Sequence, residues 1–353
     1  MSTDRTSLLL ALSLLFSLAA CHNDSAPAPS QQPTAPQPAA AASRTQPATA
    51  TQVPGPPLFE AAKRGDTGEM ASLLAAGANV NERSTEGWTA LMVAAHSGQR
   101  AALELLIAKG ADVNLADPLG ATALLRAAEN GDAEVIKAVL RAGAKVDVKS
   151  PKGWTPLMAA AFAGHTAAVA ALLENGAEID AADENGQTAL YRAAGNGQTE
   201  VVKLLLDRKA SPNLADKKGV TPLMTAALTG SVPLGEVLIN AGANVNARSI
   251  EGWTPLLAAA SQGYAMTVAK LLERGADVNA ARQDGWTALM LAADDDHAST
   301  VAILLTHGAD MHVRNDDGET ARKIAEDWEN EETLSVMRQA MGDDWKDEEE
   351  HPE

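Results

Sequence analysis

The chain has 353 residues, of which 46% are hydrophobic but only 3% aromatic, so its apolar volume comes from aliphatic side chains and not from a large aromatic core. Its net charge of -18, from 46 acidic and 28 basic residues, disfavours nucleic acid as a partner, because phosphates require a cationic surface. A single cysteine excludes an intrachain disulfide and a zinc site built on two or more thiolates.

Residues 1–20 have the pattern of a secretory signal peptide. Arg5 and the amino terminus precede an uncharged apolar run from Leu8 to Ala20. This run is too short to span a hydrocarbon core of about 30 Å. The sequence therefore predicts export across a membrane and no membrane-spanning helix at this end.

The apolar run ends in Leu18-Ala19-Ala20-Cys21, which resembles the lipobox of bacterial lipoproteins. This resemblance implies that Cys21 is lipidated and anchors the mature chain to a membrane of the bacterial cell envelope, facing the periplasm. His22 stands where the family's inner-membrane retention signal has Asp, which favours the outer membrane. A plain secreted protein is the alternative.

Residues 21–57 predict a tether that follows the lipidated cysteine. From Asn23 to Pro57 the chain is mostly Ala, Pro, Gln, Ser and Thr, with nine prolines and only two charged residues. Such a composition cannot bury enough apolar surface to form a core. We therefore expect an extended linker between Cys21 and the folded domain.

A regular repeat organises the rest of the chain, with one constant interval of thirty-three positions. Each repeat has a glycine followed two positions later by a threonine, and then by Pro or Ala. A threonine hydroxyl can cap the first turn of a helix, and proline is well tolerated at the first helical position. The sequence therefore predicts one helix start in each repeat. The glycines are Gly87, Gly120, Gly153, Gly186, Gly219, Gly252, Gly285 and Gly318.

A second glycine, found at a constant offset from the first in six repeats, predicts the end of that helix, as at Gly98 and Gly164. Apolar pairs such as Leu106-Ile107 and Leu172-Leu173 then recur at one offset and predict a second helix. Each unit is therefore expected to consist of a helix, a turn, a second helix and a hairpin loop. The predicted fold class is all-α.

At this point the sequence resembles the ankyrin-repeat family, whose helix start and Gly-Ala-Asp/Asn ending are matched by Thr287-Ala288-Leu289 and by 275–279. The resemblance implies a solenoid of about nine helix-turn-helix units with β-hairpin loops, covering residues 58–341. Residues 342–353 form an acidic tail, and a closing helix is predicted from Thr333 to Met341.

Two departures from the repeat predict a weak region of the solenoid. Lys209 stands where the other units carry a helix-ending glycine, and Gly235 lies inside a predicted helix, shortly after Pro233 in its first turn. A left-handed lysine costs about 1 kcal/mol, and a glycine inside a helix costs a similar amount. We expect residues 209–235 to be the least stable part of the stack.

Four of the six tryptophans occur directly after the turn glycine, at a position that is solvent-facing in the family: Trp88, Trp154, Trp253 and Trp286. Tryptophan is enriched at binding hot spots, so this row predicts a partner-binding surface. The alternative is that each indole packs on the next hairpin, and both interpretations are compatible. One position of the first helix carries a different type of residue in different units: His96, Phe162, Leu228 and Asp294. Phe162 is expected to add to the same face, as is Tyr191.

The search for catalytic motifs finds no serine elbow, phosphate-binding glycine loop or paired-histidine helix. Asp294-Asp295-Asp296-His297 is the cluster that most resembles a metal site, and a metal-dependent hydrolase is the alternative function it suggests. Its position in the turn between two helices favours an ordinary structural role. We therefore expect no enzyme activity, no metal and no cofactor.

These features together predict a lipid-anchored periplasmic scaffold, monomeric, that holds or protects a protein partner on its concave face. A stress-defence enzyme of the envelope is one such partner. An immunity-type protein that neutralises a periplasmic toxin needs the same surface and remains the alternative. A partner encoded by the host would favour the scaffold, and a secreted effector would favour the neutraliser.

Overall fold

The computed structural model describes residues 57–342 and Trp345. The predictions for the signal peptide, for Cys21, for the tether and for most of the acidic tail lie outside these residues. Within the described part the chain forms 18 helices and no strand, and the helices pair into nine consecutive units. The predicted all-helical solenoid of nine units is confirmed, and none of its described helices has the length and apolarity that crossing a bilayer requires.

Each unit contributes one helix to each of two layers. The first helices span Pro57–Arg64, Ala90–His96, Ala123–Asn130, Pro156–Ala163, Ala189–Gly195, Pro222–Ala227, Pro255–Ala260, Ala288–Asp294 and Ala321–Asp327. The second helices span Thr67–Ala75, Arg100–Ala108, Ala133–Arg141, Thr166–Glu174, Thr199–Asp207, Val232–Asn240, Ala265–Glu273, Ala298–Thr306 and Glu331–Met341. The predicted closing helix is thus the second helix of unit 9 and begins two residues earlier than expected.

The threonine caps predicted from the repeat are present at the start of the first helix in units 2–9. In unit 4, for example, the Oγ1 of Thr155 accepts a hydrogen bond of 3.2 Å from the backbone N–H of Met158, and Pro156 occupies the first helical position. This bond satisfies one of the backbone donors left free at a helix start. Local sequence therefore fixes where each first helix begins.

The first helices carry pairs of buried alanines, such as Ala127-Ala128 and Ala259-Ala260, which allow neighbouring first helices to approach closely. The second helices meet through larger side chains, including Leu106, Leu172 and Leu304, and lie further apart. One continuous apolar core runs from Leu58 to Trp345. Closer spacing in the first-helix layer predicts a stack that curves towards that layer.

The loops between units turn back as hairpins but form only two isolated β-bridges within the described chain, Ala116 with Thr122 and Ala281 with Thr287. From unit 4 to unit 9 the tips are joined by backbone hydrogen bonds between consecutive units. For example, the N–H of Lys217 donates to the carbonyl of Asn185 over 2.8 Å. Pro118 and Pro151 occupy the donor position in units 3 and 4, so the same bond cannot form between units 2, 3 and 4.

A ladder of loop side chains, which was not predicted from the sequence, also joins consecutive units. Asn246, for example, accepts a hydrogen bond from the N–H of Asp277 through its Oδ1 over 2.9 Å and donates through Nδ2 to the carbonyl of Gly275 over 2.9 Å. Asn81, Asn114, Asp147, Asp180, Asn213 and Asn279 occupy the equivalent positions, and each accepts the same backbone bond from the following unit. These bonds fix the spacing of the loops.

Both departures from the repeat lie where the sequence places them. Lys209 adopts a left-handed backbone with φ of 72°, and Gly235 is in the interior of the helix Val232–Asn240, with Pro233 in the first turn. A small void of about 10 Å³ lies beside Gly235, lined by Leu223, Ile239 and neighbouring residues. These features support the expectation of a weak region, whose stability remains a prediction.

Candidate protein-binding face

The tryptophan row lies between consecutive loops, beside the first-helix layer. Trp88, Trp154, Trp253 and Trp286 are all half-buried and pack against the apolar core. Each indole is therefore supported by packing while part of it stays accessible; the packing interpretation is observed, and partner binding remains a prediction. We call this surface, formed by the tryptophans and the adjoining ends of the first helices, the first-helix face.

Trp88 of unit 2 is held between two side chains. The guanidinium carbon of Arg126, from unit 3, lies 4.2 Å from the centre of the indole. On its own unit, the ring of His96 meets the indole edge-on at 5.5 Å between centroids, with an interplanar angle of 81°. A cation over an indole face and an edge-to-face aromatic contact are both attractive arrangements.

Trp154 of unit 4 repeats this arrangement two units further along. Arg192 of unit 5 lies over its indole at 4.5 Å, and Phe162 meets it edge-on at 5.8 Å and 68°. The structure thus brings Phe162 to Trp154 and His96 to Trp88, two contacts that the shared offset of Phe162 and His96 did not predict. A pair of units, one with tryptophan and the next with arginine, therefore occurs twice in succession in units 2–5.

Both arginines are bound by a buried aspartate from their own loop. The Nη2 of Arg126 donates to Oδ2 of Asp117 over 2.7 Å, and the Nη2 of Arg192 donates to Oδ2 of Asp183 over 2.7 Å. The other carboxylate oxygen of each aspartate accepts two backbone N–H groups of the loop, as Asp117 does from Leu119 and Ala121. Each ion pair therefore links the loop, the first helix and the preceding tryptophan.

The remaining two tryptophans have different surroundings. Trp253 of unit 7 lies under the guanidinium of Arg282, at 4.8 Å, which comes from the loop of unit 8 and not from its helix. Trp286 of unit 8 packs on the core, and residues 57–342 place no cation over its ring. The tryptophan row thus consists of two equivalent sites in units 2–5 and two different ones in units 7–8.

The expectation that Tyr191 adds to the exposed face needs correction. Its side chain is only 3% exposed, because it occupies a buried position of the first helix in unit 5. Its hydroxyl donates to Oδ2 of Asp216, in unit 6, over 3.2 Å. Burial raises the pKa of the phenol above its ordinary range, and the Asp216 carboxylate raises it further. Tyr191 therefore provides a polar link between units 5 and 6.

The loop tips beside the first-helix face carry exposed charged and apolar side chains. Lys149 and Lys152 of unit 4 and Lys217 and Lys218 of unit 6 are exposed, although the protein as a whole is acidic. Two tips carry large exposed apolar residues, Leu119 at 73% and Ile250 at 65%. The tips of units 8 and 9 instead carry carboxylates, among them Asp284, Asp316 and Asp317. The tips of units 4 and 6 are therefore basic, the tip of unit 5 between them carries exposed Glu184, and the tips towards the carboxyl-terminal end are acidic.

The cluster at Asp294–His297 performs structural tasks in the turn of unit 8. Asp296 has a left-handed backbone, with φ of 54°, and its Oδ1 accepts a hydrogen bond from the N–H of Thr333 over 3.0 Å. The imidazole of His297 packs directly against Gly263 of the preceding unit. No set of three or more His, Cys, Asp or Glu side chains in residues 57–342 is arranged to hold a metal ion. The hydrolase alternative therefore gains no site here.

The tryptophans were predicted from the sequence, whereas their arginine and aspartate partners were not. Asp117 and Arg126 are separated by the same short interval as Asp183 and Arg192, two repeats later. Each pair occurs in the unit after a tryptophan unit. The interval of two repeats between these pairs is the sequence signal that indicates them, and it is not visible when the repeats are compared one by one.

Comparison with known proteins agrees with this architecture. A family model described as ankyrin repeats (3 copies) matches residues 58–150, 124–216 and 208–282, and one described as ankyrin repeats (many copies) matches residues 271–325. Among solved structures, the human ASB11 ankyrin repeat domain is similar, with 31% identity and a TM-score of 0.58, covering 63% of this chain and 99% of that chain. No curated protein sequence matches the chain.

Proposed function

This chain belongs to the ankyrin-repeat family, and from that premise we propose that it is a scaffold anchored by lipid on Cys21 in the periplasm of a bacterial cell envelope. In this proposal the first-helix face is concave and holds a protein partner. Ankyrin repeats generally mediate protein–protein interactions, and the fold is typically a non-enzymatic binding scaffold. The proposal makes the scaffold a holder or protector of an envelope protein, for example a stress-defence enzyme.

The observation that carries the binding role is the pair of aromatic sites at Trp88 and Trp154. Each indole is fixed by an arginine of the next unit and by a ring of its own unit, so its accessible part is rigid before a partner arrives. Immobilised aromatic side chains lose little conformational entropy on binding. The half-buried His96 and Phe162 extend both sites along the first helices.

The binding role is tested with His96→Ala and Phe162→Ala combined, because these changes alter the face and leave the arginine–aspartate pairs intact. The matched control is Met266→Ala, a residue that is 72% exposed on the second helix of unit 7. A partner captured from native envelopes should then bind the purified double variant about tenfold more weakly, which is a loss of about 1.4 kcal/mol. The control should bind it as the wild type does.

Equal affinity of the wild type, the control and the double variant would exclude the first-helix face as the binding surface, provided that circular dichroism shows all three to be folded. The identity of the captured partner separates the two functions that need this surface. An enzyme encoded in the same genome supports the protective scaffold. A toxin delivered from another cell supports the immunity-type neutraliser.

The lipid anchor rests on the lipobox and is tested separately. The wild-type chain should incorporate radiolabelled palmitate and sediment with envelope membranes, whereas Cys21→Ser should do neither. The residues from Asn23 to Pro57 then set the reach of the solenoid from the membrane. Equal membrane sedimentation of both proteins, without labelling of either, would refute lipidation of Cys21.

A further inference from the structure

Units 3 and 5 each have a buried arginine at the equivalent position, but the two arginines bind different numbers of carboxylates. In unit 3 the guanidinium of Arg126 binds two carboxylates: Nη2 donates to Asp117, and Nη1 donates to Oε2 of Glu129 over 3.0 Å. In unit 5 Arg192 binds Asp183 through Nη2 in the same way. The residue equivalent to Glu129, however, is Gly195, so no side chain reaches Nη1 of Arg192 from that position.

The two arginines share their burial and their position over a tryptophan, but Arg192 also has Asp216 of the next loop nearby, where Ser150 stands in the equivalent place beside unit 3. Both side chains are only 9% exposed, and both lie over a tryptophan of the preceding unit. The Nε of Arg192 is buried without a hydrogen-bond partner, as is that of Arg126, but the Nη1 of Arg192 also has none among the described residues. Because Nη1 of Arg192 is not among the buried unpaired atoms, it is open to solvent, and a carboxylate that reaches it can accept a charge-assisted hydrogen bond, as Glu129 does from Arg126.

Gly195 leaves the space for such a carboxylate. It is the last residue of a helix, is half-buried, and has no left-handed backbone that would require glycine. The nearest atom to a side chain added there is the Cβ of Thr225 at 3.5 Å, an ordinary contact distance. Glycine at this position is therefore not imposed by backbone conformation or by a close neighbour.

The loop tips on either side of unit 5 are basic, whereas its own tip carries the exposed carboxylate of Glu184. Lys149 and Lys152 on one neighbouring tip and Lys217 and Lys218 on the other are exposed and flank this unit. Asp216, the nearest carboxylate of unit 6, is engaged by the hydroxyl of Tyr191, by Gln187 and by two backbone N–H groups. Basic tips around a partly satisfied arginine steer a carboxylate to the site.

We propose that Arg192, Trp154, Phe162 and the space at Gly195 form a subsite for one carboxylate of the protein partner. Glu129 supplies that carboxylate from within the chain at the equivalent place in unit 3, so the molecule contains a filled and an open copy of the same site. The aliphatic part of the partner's acidic residue packs on Phe162, and its carboxylate binds Arg192. This inference deepens the proposed scaffold function, on which its biological meaning rests.

The test uses a synthetic probe, so its outcome is independent of whether a partner is found. The full chain, labelled with nitrogen-15 and with its arginine side chains assigned through the backbone, is titrated with acetyl-Gly-Glu-Gly-amide. The controls are the matched glutamine peptide and a triglycine with a free carboxyl terminus, and ionic strength is held constant. The side-chain N–H of Arg192 should shift saturably with the glutamate peptide and not with the glutamine peptide. A response to triglycine would assign the site to a chain terminus as well.

Two variants convert one copy of the site into the other, and a third serves as the control. Gly195→Glu should abolish the response of Arg192 by supplying the carboxylate from within the chain, whereas Gly195→Ala should keep it. Glu129→Gly should create a new response at Arg126. The proposal is overturned if the two peptides shift Arg192 equally, or if Gly195→Glu responds as the wild type does. A thermal melt of each variant confirms that the unit is folded during the titration.

Discussion

Lys209 is the one described position in units 1–8 that follows a second helix and is not glycine, so it tests directly how much the repeated glycine contributes to stability. Its backbone has φ of 72°, close to that of the glycines at the equivalent positions, and its side chain is exposed. A left-handed conformation costs a lysine about 1–2 kcal/mol, whereas the extra freedom of glycine in the unfolded chain offsets about 0.4–1 kcal/mol of the gain. Lys209→Gly should therefore stabilise the protein by roughly 0.5–1 kcal/mol.

Two further variants separate the backbone effect from the loss of charge. Lys209→Asn also removes the charge, but asparagine tolerates the left-handed region only partly, so its gain should be smaller than that of glycine. Gly176→Lys places a lysine at the equivalent position of unit 4, where φ is 87° and no atom lies within 4 Å of the added Cβ. Gly176→Lys should lower the free energy of unfolding by about as much as Lys209→Gly raises it.

The measurements are urea midpoints at unchanged m-value, together with amide hydrogen exchange resolved by unit. Lys209→Gly should raise the midpoint and slow exchange in units 5 and 6. If Lys209→Gly and Lys209→Asn stabilise equally, charge removal and not backbone strain explains the gain. Uniform protection of the central units in the wild type would refute the expectation that residues 209–235 are the weakest part.

Three other outcomes follow from the packing. Gly235→Ala should raise the free energy of unfolding by about 0.5–1 kcal/mol in urea titrations, because the added Cβ meets no atom within 4 Å and alanine is the better helix former. A decrease in the free energy of unfolding would show that alanine is strained at this position. Arg126→Met should lower the free energy of unfolding by about 3 kcal/mol, because Asp117 is left buried without its cation. A decrease of less than about 1 kcal/mol would show that the ion pair is not desolvated. As pH rises above about 10, Tyr191 should lower the stability by up to about 1.4 kcal/mol per pH unit, because the unfolded chain ionises this phenol while burial keeps it protonated in the folded state. Tyr191→Phe should remove this contribution and leave that of the paired lysines Lys270 and Lys323, as measured by phenolate absorbance and urea midpoints.

The helical units could be predicted from the sequence because their signals are local. A threonine such as Thr155 caps a helix through a bond within its own first turn, and each helix-ending glycine marks a left-handed position in its own turn. One repeat therefore carries the information for one unit. The same local logic placed Pro233 and Gly235 correctly in their helix.

The candidate site could be predicted only in part, because it depends on contacts between units. The position of Trp154 in the repeat indicated a row of indoles, but the residue that covers it, Arg192, belongs to the following unit. Tyr191 was misplaced for a related reason: its offset is buried in units 2–8, and its hydroxyl is satisfied only by Asp216 of the next loop. Pairing across units is not visible in a single repeat.

The alternation of tryptophan units and arginine units has a consequence for how this chain could lengthen or shorten. Removing one unit, such as unit 3, would bring Trp88 against Ala159 and leave the indole without its covering guanidinium. Removing units 3 and 4 together would bring Trp88 under Arg192 and restore the contact. In units 2–5, a pair of repeats is therefore the smallest segment that can be inserted or deleted while the contact between tryptophan and arginine is kept. Its length equals the interval from Trp88 to Trp154.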